Sequence, residues 1–216
     1  TRKVERTVEE RFAVARKIAE EGIVLLKNDG ILPLEKGQSI AVSGDFAAPG
    51  DSAKIAGGGS ALVQWRGERF DLAKILGEKL GGEVRYARAF WERGLICDAR
   101  KAMTDAAECD VNVICAGTGA GIETEGRDRE DMRLPKWEEE SIRRLAEINP
   151  NTVVVLFAGS AGDVSAWEDC VAGIVLAGFC GERGGEAVAE IVAGDVNPGG
   201  KLSETFPCCF QDVPAS

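Results

Sequence analysis

The chain has 216 residues, 44% of them hydrophobic, which is enough to bury one sizeable core. Its 26 basic residues are outnumbered by 36 acidic ones, and both signs are mixed along the chain. The resulting charge of -10 would repel phosphate backbones and anionic lipid, which argues against nucleic acid and membrane as partners. Every apolar run falls short of the ~20 residues a membrane helix needs, and the opening TRKVERTVEERF is too charged for a signal peptide. Histidine is absent, so Ser-His-Asp and Cys-His relays are excluded and the commonest metal ligand is missing. Seven cysteines, an odd number without CxxC spacing and several within apolar runs, predict free thiols in a reduced, cytoplasmic setting.

In chain order, VEERFAVARKIAEEG predicts an amphipathic helix, with Phe12, Val14, Ala15, Ile18 and Ala19 at helical spacing and a stop at Gly22. The segment IVLLK runs into a turn at NDGILP, where Asn28, Asp29 and Gly30 supply backbone freedom. SIAVSG, VNVICAG, NTVVVLFAG and AGIVLAG are nearly continuous apolar runs, the pattern of strands covered on both faces, and GEVRYA is a weaker fifth. Between them lie the helical patterns FDLAKILGEKL, ARKAMTDAAEC, PKWEEESIRRLAEI and GGEAVAEIVAG. Pro135 and the acidic run behind it mark a helix start, because proline fits the first turn and carboxylates favour the positive end of the helix dipole. Such alternation predicts an α/β fold, a three-layer sandwich with a mostly parallel sheet flanked by helices. Residues 1–207 read as one domain. The tail KLSETFPCCFQDVPAS lacks periodicity and is expected on the surface, with 208–216 a linker or the start of a further segment.

In parallel sheets ligands gather beyond the carboxyl ends of the strands. Three loops qualify. DFAAPGDSAKIAGGGSALVQ follows SIAVSG; its GGGS could turn amides toward an anion, yet it matches neither GxGxxG nor the P-loop, and a close-packed loop is the simpler account. TGAGIETEGRDREDMRLP follows VNVICAG and crowds Glu123, Glu125, Asp128, Arg129, Glu130 and Asp131 into nine residues. Those charges are either solvated around a helix cap or they present a carboxyl group at a cleft, able to move a proton. FCGERGGEAV, with Glu182 and Arg183, reads by default as a packed strand-to-helix turn.

GIVLLKNDGILPL, GGGSALV, ETEGRDREDMRLP, INPNTVVVLFAG and GEAVAEIVAGDVNPGGKLSETFP, in that order, resemble the successive signatures of the C-terminal-type α/β sandwich domain of the family 3 glycoside hydrolases. These are the beta-glucosidases and their relatives, and the likeness covers roughly residues 8–207. The resemblance implies a domain of a retaining beta-glycosidase that supplies the general acid/base and part of the cleft for a beta-glycoside or oligosaccharide. A barrel domain of the same enzyme would supply an aspartate nucleophile, and no part of these residues resembles it. By the EGxDR pattern the acid/base falls on Glu125, with Glu123 the rival. Asp128 and Arg129 match the DR of that pattern and are expected to form a loop-shaping ion pair, while Gly59 and Ser60 are expected to line the sugar rim. No cofactor or metal is implied. By itself the chain is expected to be silent on glycosides, with an apolar patch flanking the acidic loop where the barrel would dock. The alternative is a non-catalytic carbohydrate-binding or regulatory module with the same fold.

Overall fold

The structure, a computed structural model, describes residues 6–48, 58–61, 71–89 and 98–213. Six strands form one sheet: β1 (Val24–Asn28), β2 (Ile40–Ser43), β3 (Val84–Ala87), β4 (Val111–Gly117), β5 (Thr152–Phe157) and β6 (Gly173–Leu176). Their order is β1-β6-β5-β4-β2-β3, and β2 to β6 run parallel. β4 and β5 are buried along their whole length, which is why their sequences are apolar without alternation.

The helices are α1 (Val8–Gly22), α2 (Leu72–Leu80), α3 (Ala99–Glu108), the single turn α4 (Gly119–Ile122), α5 (Lys136–Ile148) and α6 (Gly184–Val192). Successive strand residues point to opposite faces. Val111, Val113, Cys115, Val153, Val155 and Phe157 therefore meet α1, α2 and α6 on one side. Ile114, Ala116, Val154 and Leu156 meet α3 and α5 on the other, together with Trp167. This is the predicted three-layer sandwich. Cys115 sits fully buried in the first of these layers, where desolvation pushes its thiol far up, as expected of a cysteine acting as a small hydrophobe.

Two features depart from the sequence reading. IVLLK is not merely the approach to a turn: it forms β1, paired antiparallel with β6, so the sheet is mixed at this edge. The cause is the short connection. Only Ile23 separates α1 from β1, so the strand enters beside Leu176, at the carboxyl end of β6, and runs the opposite way. The turn that follows is held by Asn28, whose Oδ1 accepts the amides of Gly30 and Leu32 at 3.0 Å each. The second departure is in α1, where Ala19 is buried but Val14 and Ile18 stay exposed, Ile18 at 66%. Its main packing partner is α6, which covers only a narrow strip of the helix.

At the amino end of the strands a polar lattice explains INPNTVV. Buried Asn149 donates from Nδ2 to the carbonyls of Ala106 (3.0 Å) and Cys109 (2.9 Å), while its Oδ1 accepts the amide of Asn151 at 3.0 Å. Thr152 Oγ1 donates to the Asn149 carbonyl at 2.5 Å and accepts from Asn112 Nδ2 at 3.2 Å. One amide side chain thus satisfies the ends of α3 and the approach to β5.

β2 has β3 on one side and β4 on the other, and the chain builds outward from it in both directions. The loops leaving β2 and β4 consequently diverge, and the crevice between them is where sheets of this type bind ligands. From the lattice at the opposite end, Asn149→Ala should lower the unfolding free energy by about 2–4 kcal/mol, since it strands two buried carbonyls and one amide. Urea titration of the two proteins checks this, and an unchanged midpoint would contradict it.

Candidate active site

Two of the three loops picked out by sequence meet at the crevice. The Gly58 amide donates to the Glu123 carbonyl at 3.0 Å, and Gly58 bridges Thr124 in parallel register. Thr124 in turn bridges Arg127 across the tight turn at Gly126. The loop after β4 is thereby folded on itself and stitched to residues 58–60.

Glu123 and Glu125, two residues apart, face different surroundings. Glu123 points inward. Its Oε2 accepts Thr118 Oγ1 at 2.9 Å and the Gly159 amide at 2.7 Å. Its Oε1 accepts Ser160 Oγ and pairs with Arg129 Nη1 at 3.3 Å. The two side chains of that pair are only 11% and 15% exposed. Arg129 also donates to Ser160 Oγ (2.9 Å) and to the carbonyls of Ala161 (3.1 Å) and Met132 (2.8 Å). Every lone-pair direction of Glu123 that faces protein is occupied, so the residue ties the β4 loop to the loop after β5.

Glu125 points outward and is exposed. Its Oε2 accepts the Ser60 amide at 2.7 Å. Hydrogen bonding from Ser60, through its side chain first and then its amide, holds the Glu125 carboxyl below the ordinary range. Gly59 has φ +76°, and a Cβ there would fall 2.4 Å from the Glu125 Cβ, so the close approach of the two loops requires glycine. Residues 58–60 of the GGGS run thus pack at the rim, with Gly59 and Ser60 against the acidic residue.

The ion pair that shapes the loop joins Arg129 to Glu123. Asp128 is exposed and among the described residues forms no salt bridge, because Arg129 is drawn toward the pocket of carbonyls behind it. Arg127 donates instead to the Gly121 carbonyl. Arg183 of the third loop pairs with Glu186 at 2.5 Å and lies 3.8 Å over the Phe12 ring, the packed strand-to-helix turn of the default reading. Sequence reasoning missed Thr118, Gly159 and Ser160, which hold Glu123, and also Glu138, whose Oε1 accepts the Gly117 amide at 3.0 Å and braces the end of β4. A signal existed for the first three: they stand directly after VNVICAG and NTVVVLFAG, where parallel strands end.

A groove of about 1170 Å³ runs beside the same loop, between residues 129–133, residues 160–163 and the tail at 204–213. The tail keeps to the surface as expected, and its Glu204 accepts the Ala161 amide at 3.0 Å. Beside the acidic loop, the apolar side chains among the described residues are those lining this groove, namely Met132, Ala161, Phe206, Pro207 and Val213. The exposed large hydrophobics among the described residues are Val8, Val14, Ile18, Ile148 and Leu202, none of which belongs to that loop. Residues 49–57 and 62–70, which adjoin residues 58–61 and include the first glycine of GGGS, lie outside the described set.

Residues 23–216 match the family described as the glycosyl hydrolase family 3 C-terminal domain. The chain belongs to this family. It is 36% identical over 94% of its length to thermostable beta-glucosidase B of Acetivibrio thermocellus, of which it covers 27%. It is 33% identical, again over 94%, to an exo-alpha-(1->6)-L-arabinopyranosidase of Bifidobacterium longum, of which it covers 28%. Among solved structures, the GH3 beta-glucosidase of Bifidobacterium adolescentis superposes with a TM-score of 0.86 at 32% identity, over 97% of this chain and 31% of that one. The family 3 domain described here therefore spans under a third of the length of these relatives.

The geometry separates the two glutamates by experiment. Glu123→Ala should cost about 2–4 kcal/mol of stability by leaving Arg129 enclosed without its charge partner. Glu125→Ala, at an exposed position, should stay within about 0.5 kcal/mol of the parent. Equal shifts of the denaturation midpoint in the two variants would contradict this division.

Proposed function

We propose that this domain supplies the general acid/base, Glu125, and one wall of the sugar cleft to a retaining beta-glycosidase. The single observation that carries the reading is the placing of Glu125: an exposed carboxylate at the crevice between the β2 and β4 loops, anchored through one oxygen. A proton donor must reach the departing oxygen, so it has to be accessible and retain a lone pair for the proton. Among the described residues Oε1 of Glu125 has no partner, whereas both oxygens of Glu123 are engaged. Glu123 is therefore assigned to holding the loop.

Retaining hydrolysis places two carboxyl groups about 5 Å apart on either side of the scissile bond. Glu125 would protonate the leaving oxygen in the first half-reaction and accept a proton from water in the second. The nucleophile would come from the barrel domain implied by the family resemblance. The names of the relatives, beta-glucosidases chief among them, support a beta-glycoside as substrate. In this chain Ser60 favours the ionised form of Glu125. The protonated form needed for the first step would be favoured by a second carboxylate and by exclusion of water once sugar and barrel close over the loop.

In the full-length enzyme, Glu125→Gln should lower kcat/KM about 10²–10⁴-fold on glycosides with poor leaving groups and far less on activated aryl glycosides, which depart without protonation. A loss of the same size on both classes would remove Glu125 from the role. Glu123→Gln should show no such dependence on leaving group.

A further inference from the structure

Ser60 and Gly59 were expected to line the sugar rim, yet their described contacts are with the acidic loop. Three of these contacts are independent of one another. The Ser60 amide donates to Glu125 Oε2 at 2.7 Å. The Gly58 amide donates to the carbonyl of Glu123, two residues earlier, at 3.0 Å. Gly59, at φ +76°, leaves no room for a side chain: a Cβ there would also lie 3.0 Å from both the amide nitrogen and Oε2 of Glu125. The segment therefore touches the backbone of the acidic loop, the stem of Glu125 and one of its two oxygens.

From this arrangement we infer that residues 58–60 form a positioning clamp, in which the Ser60 amide fixes Oε2 of Glu125 and leaves Oε1 as the oxygen that exchanges the proton. The inference deepens the reading of Glu125 as acid/base and rests on it for its catalytic meaning. A carboxylate at the tip of a loop rotates freely about its last bond, and each rotamer lost before reaction is entropy that need not be lost in the transition state. A neutral amide is suited to this task, because it orients the oxygen without neutralising the charge. The charged neighbours do not duplicate the work. Arg127 donates to the Gly121 carbonyl, Arg129 is held by Glu123, Ser160 and the carbonyls of Ala161 and Met132, and Asp128 and Glu130 are exposed on the same loop. Residues 58–60 themselves carry no titratable side chain. Ser60 is accordingly a positioning residue, and its effect is to be read in the behaviour of Glu125.

The test compares Ser60→Pro, which removes the amide proton and the hydroxyl together, with Ser60→Ala, which removes only the hydroxyl, so that the difference between the two reads the amide. Gly59 already stands outside the right-handed helical region that a following proline disfavours. Carboxyl-detected NMR titration of the 216-residue chain should show the Glu125 midpoint rising in Ser60→Pro, and to a smaller extent in Ser60→Ala. In the full-length enzyme the basic limb of the pH profile should move to higher pH on a poor-leaving-group glycoside, with kcat falling more than KM changes. A Glu125 midpoint no higher in Ser60→Pro than in Ser60→Ala overturns the clamp. If Ser60→Pro does not fold, Gly59→Ala takes its place: the added methyl should push Glu125 off the amide and raise its midpoint, and no change overturns the clamp. Failure of the acid/base reading is distinguishable from either result, since it would appear as a leaving-group-independent Glu125→Gln while the midpoint still rose with loss of the amide.

Discussion

The fork at β2 imposes the central constraint. Because the chain leaves this strand toward β3 on one side and is joined by β4 on the other, two loops must end the sheet side by side without a strand to pair them. The Gly58 amide meets the Glu123 carbonyl between them, and the Glu123 carboxylate beneath is satisfied from its own loop and from the loop after β5. Donors from Thr118, Gly159, Ser160 and Arg129 converge on that one side chain. Burying a charge is costly unless it is paired and hydrogen-bonded. Once the cost is offset in this way, the same contacts fix where the next exposed carboxylate must stand.

In a regular strand residues two apart share a face. Here the segment is confined between the helical turn ending at Glu123 and the tight turn at Gly126, and Glu123 is turned in while Glu125 is turned out. Neither orientation requires anything special of glutamate itself. The inward residue ties the loop to its neighbour, and the outward residue stands exposed on that anchored segment. The Ser60 amide adds a contact from a second loop, so that the position of Glu125 is set from two directions.

The segments by which the chain resembles its family divide by the work they do. ETEGRDR and the GGGS run meet at the crevice. INPNTVV lies at the opposite end of the sheet, where Asn149 and Thr152 satisfy the ends of neighbouring elements. In the NPGGKLSETFP stretch, the Gly200 amide donates to the Ile23 carbonyl and Glu204 reaches the Ala161 amide, so the tail is fastened across the edge of the molecule and walls the groove beside the acidic loop. A signature in sequence is thus as readily a hydrogen-bonding necessity of the scaffold as a mark of chemistry.

Sequence by itself determined the layers, the buried strands, the helices between them and the two loops that meet at the rim. All of these follow from local periodicity and from the apolar demand of a sheet covered on both faces. It did not determine β1, because a five-residue half-buried edge strand has no periodicity of its own and its direction was decided by the single residue joining it to α1. Nor did it separate Glu123 from Glu125 or find the partner of Arg129. Those answers depend on residues 58–60 and 159–161, distant along the chain, and only the folding of the sheet brings their amides and hydroxyls within reach of two neighbouring carboxylates.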